Sequence, residues 1–283
     1  MKKTILLIAT VLLTIPAIFA QNKRETALRM ASYNLRMGTA SDGENHWRYR
    51  KEMVHGLIRF HELDIIGTQE GFQFQLDDIT EPGDYASVGS GRDDGKEKGE
   101  HSAILYRVSR FELLDNGDFW YSETPDMPSK GWDATCCNRI CSWAKFMDKE
   151  TKRSFFVFNS HFDHMGKLAR KHSSLLLLKR IEEIAGDGTV FATGDFNARP
   201  DEEPIQIISH SGKFNDARLV SQRPPYGTEG TFNGFNLEAS MKVRIDYIWV
   251  TPDVTVEKYG VLNDMPYGRF PSDHFPIVAD VRF

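Results

Sequence analysis

The sequence predicts an α/β protein with one folded domain, a sandwich of two mainly antiparallel sheets flanked by helices. Short apolar runs recur along the chain, and many are apolar on both faces, as expected where one sheet packs on another and helices cover its outer side. Two longer segments read as helices. Neither a repeat nor a long linker interrupts the 283 residues, a length that one two-sheet domain can reach.

Seven short apolar runs predict the strands. In chain order they are Leu28–Asn34, Asp64–Thr68, Ala103–Tyr106, Phe155–Ser160, Val190–Thr193, Ile245–Val250 and Pro276–Val281. A further run, Ile140 to Phe146, is also strand-like.

Helices are predicted at Trp47–His61 and Met165–Ile184. In the second, Leu177, Ile181 and Ile184 fall at i, i+4 and i+7, which makes one apolar stripe. Segments rich in Gly, Pro and charge predict loops. They are Ser90–Glu100, Tyr121–Thr135 and Arg223–Gly234.

The N-terminus has the pattern of a secretory signal. Lys2 and Lys3 precede a short apolar stretch from Ile5 to Ile15, which Pro16 ends, and Ala20 offers a cleavage point. We therefore expect a signal peptide at 1–20, a domain at 21–283 and an exported protein, periplasmic or secreted. An uncleaved anchor is the alternative; after cleavage no membrane span is expected.

Composition and charge limit the classes of function. Hydrophobic residues make up 40% of the chain, enough for a core, and the formal net charge is −5, or −7 without Lys2 and Lys3. Proteins that grip long nucleic acids usually present a net basic surface. The net negative charge disfavours tight, non-specific DNA binding, although it is compatible with a local basic groove.

The three cysteines, Cys136, Cys137 and Cys141, are an odd number for an exported protein, so at least one thiol lacks a partner within the chain. The cluster has no second half of the kind that zinc sites use. We expect core or loop thiols, with or without one disulfide.

Polar pairs follow three of the predicted strands at a spacing of two residues. They are Asn34 with Arg36, His161 with Asp163, and Asp195 with Asn197. Residues at i and i+2 of a strand point the same way. Pairs at several strand ends can converge on one cleft, as functional sites often do. An Asx turn is the alternative explanation for the pair at Asp195.

Several of these motifs together resemble those of the endonuclease/exonuclease/phosphatase superfamily. The most specific is the tail Ser272-Asp273-His274-Phe275-Pro276. The others, in order, are Ser32 to Arg36, Thr68-Gln69-Glu70, Asn159 to Asp163, Gly194 to Asn197 and Arg244 to Tyr247. These motifs are similar to those of pancreatic-type deoxyribonucleases and CCR4-type deadenylases, and to those of an exported bacterial branch of the superfamily. The resemblance covers about Leu28 to Phe283 and implies a four-layer sandwich.

The resemblance implies a site for Mg²⁺ or Mn²⁺. It makes Glu70 the main ligand, assisted by Asn34, with Asp273 near the metal. A Glu at a strand end suits Mg²⁺, which uses one or two protein carboxylates and keeps several waters. Related abasic-site enzymes carry a carboxylate where Arg36 stands. Because this chain lacks that carboxylate, we expect one metal ion, or a second ion that is loosely held.

The resemblance also implies the catalytic groups. Asp246 and His274 match an Asp–His dyad, in which the carboxylate fixes the tautomer of the imidazole. Asp195 matches a residue that orients or deprotonates the attacking water; whether Asp195 or His274 is the base stays open. Asn197 and His161 match groups that contact the phosphate. Three further residues are candidates for phosphate or substrate binding, namely Arg139, Arg36 and Glu100.

The expected function is metal-dependent hydrolysis of a phosphoester, of the nuclease or phosphodiesterase type. A sphingomyelinase-like enzyme or an inositol-phosphate phosphatase is the alternative, and a non-catalytic binding protein of the same fold is the alternative of another class. The expected partner is a phosphoester substrate, such as a nucleic acid, a nucleotide or a phospholipid head group. No stable protein partner is implied.

Overall fold

The computed structural model describes residues 25–283, so the predicted signal peptide at 1–20 lies outside the described residues. Twelve strands form two sheets. They are β1 Ala27–Asn34, β2 Ile65–Gln69, β3 Tyr85–Val88, β4 Ile104–Arg107, β5 Phe111–Trp120, β6 Ile140–Asp148, β7 Ser154–His161, β8 Val190–Asp195, β9 Asn215–Asp216, β10 Asp246–Val250, β11 Thr255–Val261 and β12 Ile277–Arg282.

Five α-helices and two 3₁₀ turns connect the strands. The helices are α1 Trp47–Phe60, α2 Gln73–Thr80, α3 Lys167–Ala185, α4 Glu203–Ser209 and α5 Ala217–Val220, and the turns are Gly43–Asn45 and Pro266–Gly268. Both predicted helices are present, as α1 and α3. Within residues 25–283, no helix combines the length and hydrophobicity that a bilayer crossing needs.

Each sheet has six strands and is mainly antiparallel, as predicted. The strand order is β11-β12-β1-β2-β4-β3 in the first sheet and β5-β6-β7-β8-β10-β9 in the second. Each sheet contains one parallel pairing, β1 with β2 and β7 with β8. The first and last strands of the chain, β1 and β12, are neighbours in the first sheet.

Apolar side chains fill three layers, which makes the fold a helix–sheet–sheet–helix sandwich. Between the sheets, residues such as Met30 and Ile65 meet Phe155 and Phe191. On the outer side of the first sheet, α1 and α2 pack over β1 and β2. On the outer side of the second sheet, α3 and α4 bury a layer that includes Leu177 of the predicted stripe.

The strands that the apolar runs predicted are the interior strands of the sheets. The four strands without a predicted run, β3, β5, β9 and β11, are the four sheet edges. Edge strands are partly solvated, so their sequences carry fewer apolar and more polar side chains. In β5, for example, Glu112, Asp115 and Asn116 are exposed.

Candidate active site

The register of the second sheet brings three predicted site residues together. Asp195 ends β8; it pairs with His161, which ends β7, and with Asp246, which begins β10. Residues paired across neighbouring strands lie on the same face of a sheet. Asp195 therefore lies between an imidazole and a second carboxylate, and its Oδ2 is 3.6 Å from His161 Nε2.

The first sheet contributes Asn34 and Glu70 from its parallel pair. Asn34 ends β1 and pairs with Gln69, the residue before Glu70. The buried Asn34 donates hydrogen bonds from Nδ2 to Glu70 Oε1 and to Asp195 Oδ2, both at 3.1 Å. One amide thus joins carboxylates from the two sheets, and its nitrogen rather than its oxygen faces Glu70.

Tight turns follow the strands at three site positions. Arg36, Glu70 and Asn197 have φ angles of 59°, 62° and 47°, a left-handed conformation that is uncommon outside glycine and often found at functional sites. The N–H groups of Arg36 and Asn197 donate to the side-chain oxygens of Asn34 and Asp195, each at 2.9 Å. The Asx turn expected as an alternative at Asp195 is present, and it coexists with a place in the pocket.

His274 is held by two groups in a buried arrangement. Its Nδ1–H donates to Asp246 Oδ2 at 2.9 Å, and Thr231 Oγ1 lies 2.5 Å from the same oxygen. Burial alone would lower the pKa of His274. The charge of Asp246 and the hydrogen bond to it, together with Asp195 and Asp273, outweigh burial and raise that pKa well above its ordinary value.

Asp195 is almost completely buried, and burial is the main cause that raises its pKa, to about 7. The charge of Asp246 raises it further, while His274 and the N–H of Asn197 oppose the rise. His274 Nε2 lies 3.8 Å from Asp195 Oδ2. The pocket thus holds a carboxyl that can exchange a proton near neutral pH, a property typical of catalytic groups.

The opposite side of the pocket is basic. Arg139 is buried; its Nη2 donates to His164 Nδ1 at 2.8 Å, and its Nε lies 3.4 Å from Asp163 Oδ2. Within residues 25–283, its Nη1 is buried and has no hydrogen-bond partner. Burial, and then the charges of Arg139 and Arg92, lower the pKa of His161 well below its ordinary value. An anion could accept a hydrogen bond from this buried Nη1.

The remaining predicted residues have partners within the protein. Arg36 forms two hydrogen bonds to Asp42, both at 2.9 Å, and its Nη1 is 3.7 Å from Asp273 Oδ2. Glu100 forms a two-fold ion pair with Arg92, with both distances 2.7 Å. Its Oε2 is 3.8 Å from His161 Nδ1. Glu100 thus supports the pocket wall, and its role toward substrate stays a prediction.

A cavity of about 660 Å³ connects these groups. It is lined by Arg36, Met37, Glu70, Arg92, Glu100, Cys136, Cys137, Arg139, His161, His164, Asp195, Asn197, Arg199, Glu202, Phe232, Val243, Ile245, Asp273 and His274. Of the predicted site residues, only Asn34 and Asp246 lie behind this lining, where they hold Glu70 and His274.

Residues at or beside the site that were not predicted from the sequence include Thr231, Phe232, Arg92 and His164. Thr231 and Phe232 lie in the loop predicted at Arg223–Gly234, and Arg92 lies in the loop predicted at Ser90–Glu100. Loops carry no hydrophobic period, so no local pattern marks such residues. His164 stands directly after the His161–Asp163 motif, and that neighbourhood was the one available signal.

The cysteines differ in environment. Cys136 and Cys137, at the pocket, form a disulfide with each other. Cys141 is a buried free thiol in β6, and burial raises its pKa to about 12. The odd thiol is therefore a core side chain.

Comparisons with known proteins identify the family of this chain. The chain belongs to the endonuclease/exonuclease/phosphatase family, whose model matches residues 31–274. Members of this superfamily hydrolyse phosphoester bonds, and the chain is phosphoesterase-like in fold and sequence. A family protein from Bacteroides thetaiotaomicron is 41% identical, with a TM-score of 0.88 over 92% of this chain and 96% of its own.

A mannosyl-6-phosphatase from the same organism is also 41% identical, with a TM-score of 0.87 over 90% of this chain and all of its own. The exoribonuclease subunit Ccr4 of the CCR4-Not complex from Emericella nidulans is 23% identical over 83% of this chain and 47% of its own length. The chain spans about half the length of the curated relatives it matches.

Proposed function

We propose that this protein is a Mg²⁺- or Mn²⁺-dependent phosphoesterase that removes phosphate from a sugar phosphate. The observation that carries the proposal is the convergence of Glu70, Asp195, His161 and His274 from both sheets on one cavity. The family match and the 41% identity to a mannosyl-6-phosphatase support the reaction class and the substrate.

The donor set fits a hard divalent cation. Donor atoms of Glu70, His161 and Asp195 lie within 4.8 Å of one another, and carboxylate oxygens are what Mg²⁺ and Mn²⁺ prefer. In this proposal Glu70 holds the ion, with Asp273 nearby, and Asn34 positions the Glu70 carboxylate through its Nδ2. When bound, the cation supplies charge stabilisation to a phosphoryl oxygen.

The side chains divide the remaining work. Asp195 accepts the proton of the attacking water, which its raised pKa suits; such general-base help is worth about 10²- to 10⁴-fold. His274, oriented by Asp246, donates a hydrogen bond to the phosphoryl group. Asn197, His161 and the free Nη1 of Arg139 bind its oxygens and so stabilise developing charge.

The test of metal dependence compares two glutamates. Chelation of the purified protein should abolish hydrolysis of mannose 6-phosphate, and Mg²⁺ or Mn²⁺ should restore it. Glu70→Gln keeps the size but removes the charge, so we expect kcat to fall by about 10²-fold or more and more metal to be needed. Glu112→Gln, on the exposed face of β5, is the matched control and should behave as wild type. Full activity of Glu70→Gln at low metal would contradict the ligand role.

A nucleic-acid phosphodiester is the second candidate substrate, because the Ccr4 exoribonuclease subunit matches over 83% of the chain. A panel of mannose 6-phosphate, poly(A), plasmid DNA, sphingomyelin and inositol phosphates separates the candidates. Preferred turnover of poly(A) or DNA would replace the sugar phosphate with a nucleic acid. Failure to turn over any phosphoester with metal present would favour the non-catalytic binding protein.

A further inference from the structure

The pocket contains an aromatic side chain that the proposed chemistry does not use. Phe232 lines the cavity beside His274 and keeps 38% of its surface exposed. Its ring centroid is 5.1 Å from that of His274, in an edge-on arrangement. An apolar ring that lines a cavity and stays partly solvated gains free energy when a ligand covers it.

The backbone around Phe232 is held in place rather than free to move away. The N–H groups of Asn233 and Gly234 donate to the carbonyl of Asp273 at 2.8 and 3.0 Å, and Asn233 Nδ2 donates to the carbonyl of Ser272 at 3.0 Å. Gly234 has a φ of 60°, and a Cβ there would lie 3.3 Å from the Phe232 ring. The loop therefore presents the ring at a fixed place next to the catalytic segment.

We propose that Phe232 forms the subsite for the pyranose ring of the substrate, an inference that rests on the proposed function. Because Phe232 contacts His274 itself, it adjoins the scissile phosphate. The first group beyond the ester oxygen of a hexose 6-phosphate is the sugar. In a nucleotide the base lies one ring further away, so the position of Phe232 fits a sugar better than a base.

The rest of the lining supplies what a sugar ring requires. Val243 and Ile245 extend the apolar wall, while Arg199 and Glu202 line the same cavity with a guanidinium and a carboxylate. Sugars present apolar C–H faces that pack on aromatic rings and hydroxyl groups that need both donors and acceptors.

The experiment compares two primary alkyl phosphates with the same kind of scissile bond, mannose 6-phosphate with a ring and glycerol 3-phosphate without one. Wild type should have the higher kcat/KM for mannose 6-phosphate. Phe232→Ala should reduce that preference by about 10-fold or more, the scale of losing an apolar pocket contact. Phe232→Tyr keeps the flat ring and should retain the preference. Phe60→Ala, at a phenylalanine 81% exposed at the end of α1, is the matched control.

Three outcomes would overturn the inference while leaving the proposed function intact. Equal losses on both substrates would mean that Phe232 only supports His274. An unchanged preference in Phe232→Ala would mean no contact with the ring. A larger loss on adenosine 5′-monophosphate than on mannose 6-phosphate would assign the subsite to a base. Failure of wild type to hydrolyse any of the three phosphates would instead overturn the proposed function, and the subsite with it.

Discussion

Burial by itself shifts the pKa values of Asp195 and His274 in opposite directions. Removing a carboxylate from water favours its neutral form, and removing an imidazole from water favours the neutral ring. For Asp195 burial dominates and raises its pKa to about 7, whereas for His274 the effect of burial is outweighed by Asp246 together with Asp195 and Asp273, and the pKa of the imidazole is raised. Both net shifts are upward, one caused mainly by burial and the other by neighbouring carboxylates; under the proposed function they suit Asp195 as a base and His274 as a hydrogen-bond donor.

The Asp246–His274 pair should behave as one unit in mutants. His274→Ala should lower kcat by about 10²-fold or more. Asp246→Asn should cost less, because the ring stays in place while its tautomer and charge are disturbed. The double variant should be scarcely worse than His274→Ala, since groups that act together are non-additive. If the two losses multiply instead, Asp246 has a separate role and another group must orient His274.

Thr231 should act through this pair as a positioning residue. The N–H groups of Ile245 and Asp246 both donate to Thr231 Oγ1 at 3.2 Å, so its own proton is directed at Asp246 Oδ2. Thr231→Val keeps the shape and removes that donor, so we expect kcat to fall by about 10-fold with KM little changed and a shifted pH profile. Thr231→Ser keeps the hydroxyl group, so its kcat and its pH profile should match those of wild type. A fall in stability without a change in kcat or pH profile would assign Thr231 a purely structural role.

Among the elements, β2 and β7 meet through a buried polar cluster. Asn159 of β7 donates to the carbonyls of Thr68 and Ala103 at 2.7 and 3.0 Å and accepts from Gln69 Nε2 at 2.7 Å. Side chains of one sheet thus satisfy backbone groups of the other. This cluster lies close beneath Asn34 and Glu70, so it fixes the spacing at which the two sheets present their strand ends.

Gly67 should tolerate no larger residue, because it is where β2 approaches this cluster. A Cβ there would lie 2.1 Å from Thr193 Oγ1 and 2.4 Å from Asn159 Oδ1. Gly67→Ala should lower the free energy of unfolding by about 1–3 kcal/mol, measured by urea denaturation. Gly56→Ala, in open space in α1, is the matched control and should raise it by about 0.4–1 kcal/mol. Equal effects at both positions would contradict a close sheet-to-sheet approach at Gly67.

For the whole molecule, the site makes the stability of the metal-free protein depend on pH. Asp195 has a pKa of about 7 in the folded state against an ordinary 3.8. As pH falls toward 5, the folded state therefore binds more protons than the unfolded state. His274 has a raised folded pKa, so its stabilising effect is full below pH 6.5 and is lost as pH rises. Both groups therefore favour the folded state at lower pH.

The free energy of unfolding of the metal-free protein should rise as pH falls from 8.5 to 6.5. Asp195 should contribute on the order of 1 kcal/mol of that rise. Urea denaturation in chelator at both pH values measures it, and Asp195→Asn should flatten the slope. Burial lowers the pKa of His161, so below pH 6.5 this residue reduces the stability of the folded state as pH falls. The pH range of the comparison therefore ends at 6.5. A slope that Asp195→Asn leaves unchanged would show that Asp195 is ionised throughout.

Prediction from the sequence succeeded where local composition reflects burial. The interior strands, such as β1 and β8, are apolar because both faces are covered. The edge strands, such as β5, were not predicted, because solvent on one side permits polar side chains. Most of the predicted site residues are near one another because they stand at or beside a strand end, as Asn34, Asp195 and Asp246 do. Thr231 and Phe232 were missed because loop residues carry no periodic signal.

The sequence by itself determined the fold class, the interior strands and the family, because apolar runs ending in Asn, Asp, Glu or His are local features of the chain. Tertiary structure alone decided which of these residues meet. The register of β7, β8 and β10 puts Asp195 between His161 and Asp246, and the approach of the two sheets brings Asn34 to it from more than 150 positions away. The raised pKa of Asp195, the free Nη1 of Arg139 and the exposed ring of Phe232 all follow from that packing, since burial and neighbouring charge exist only in the folded chain.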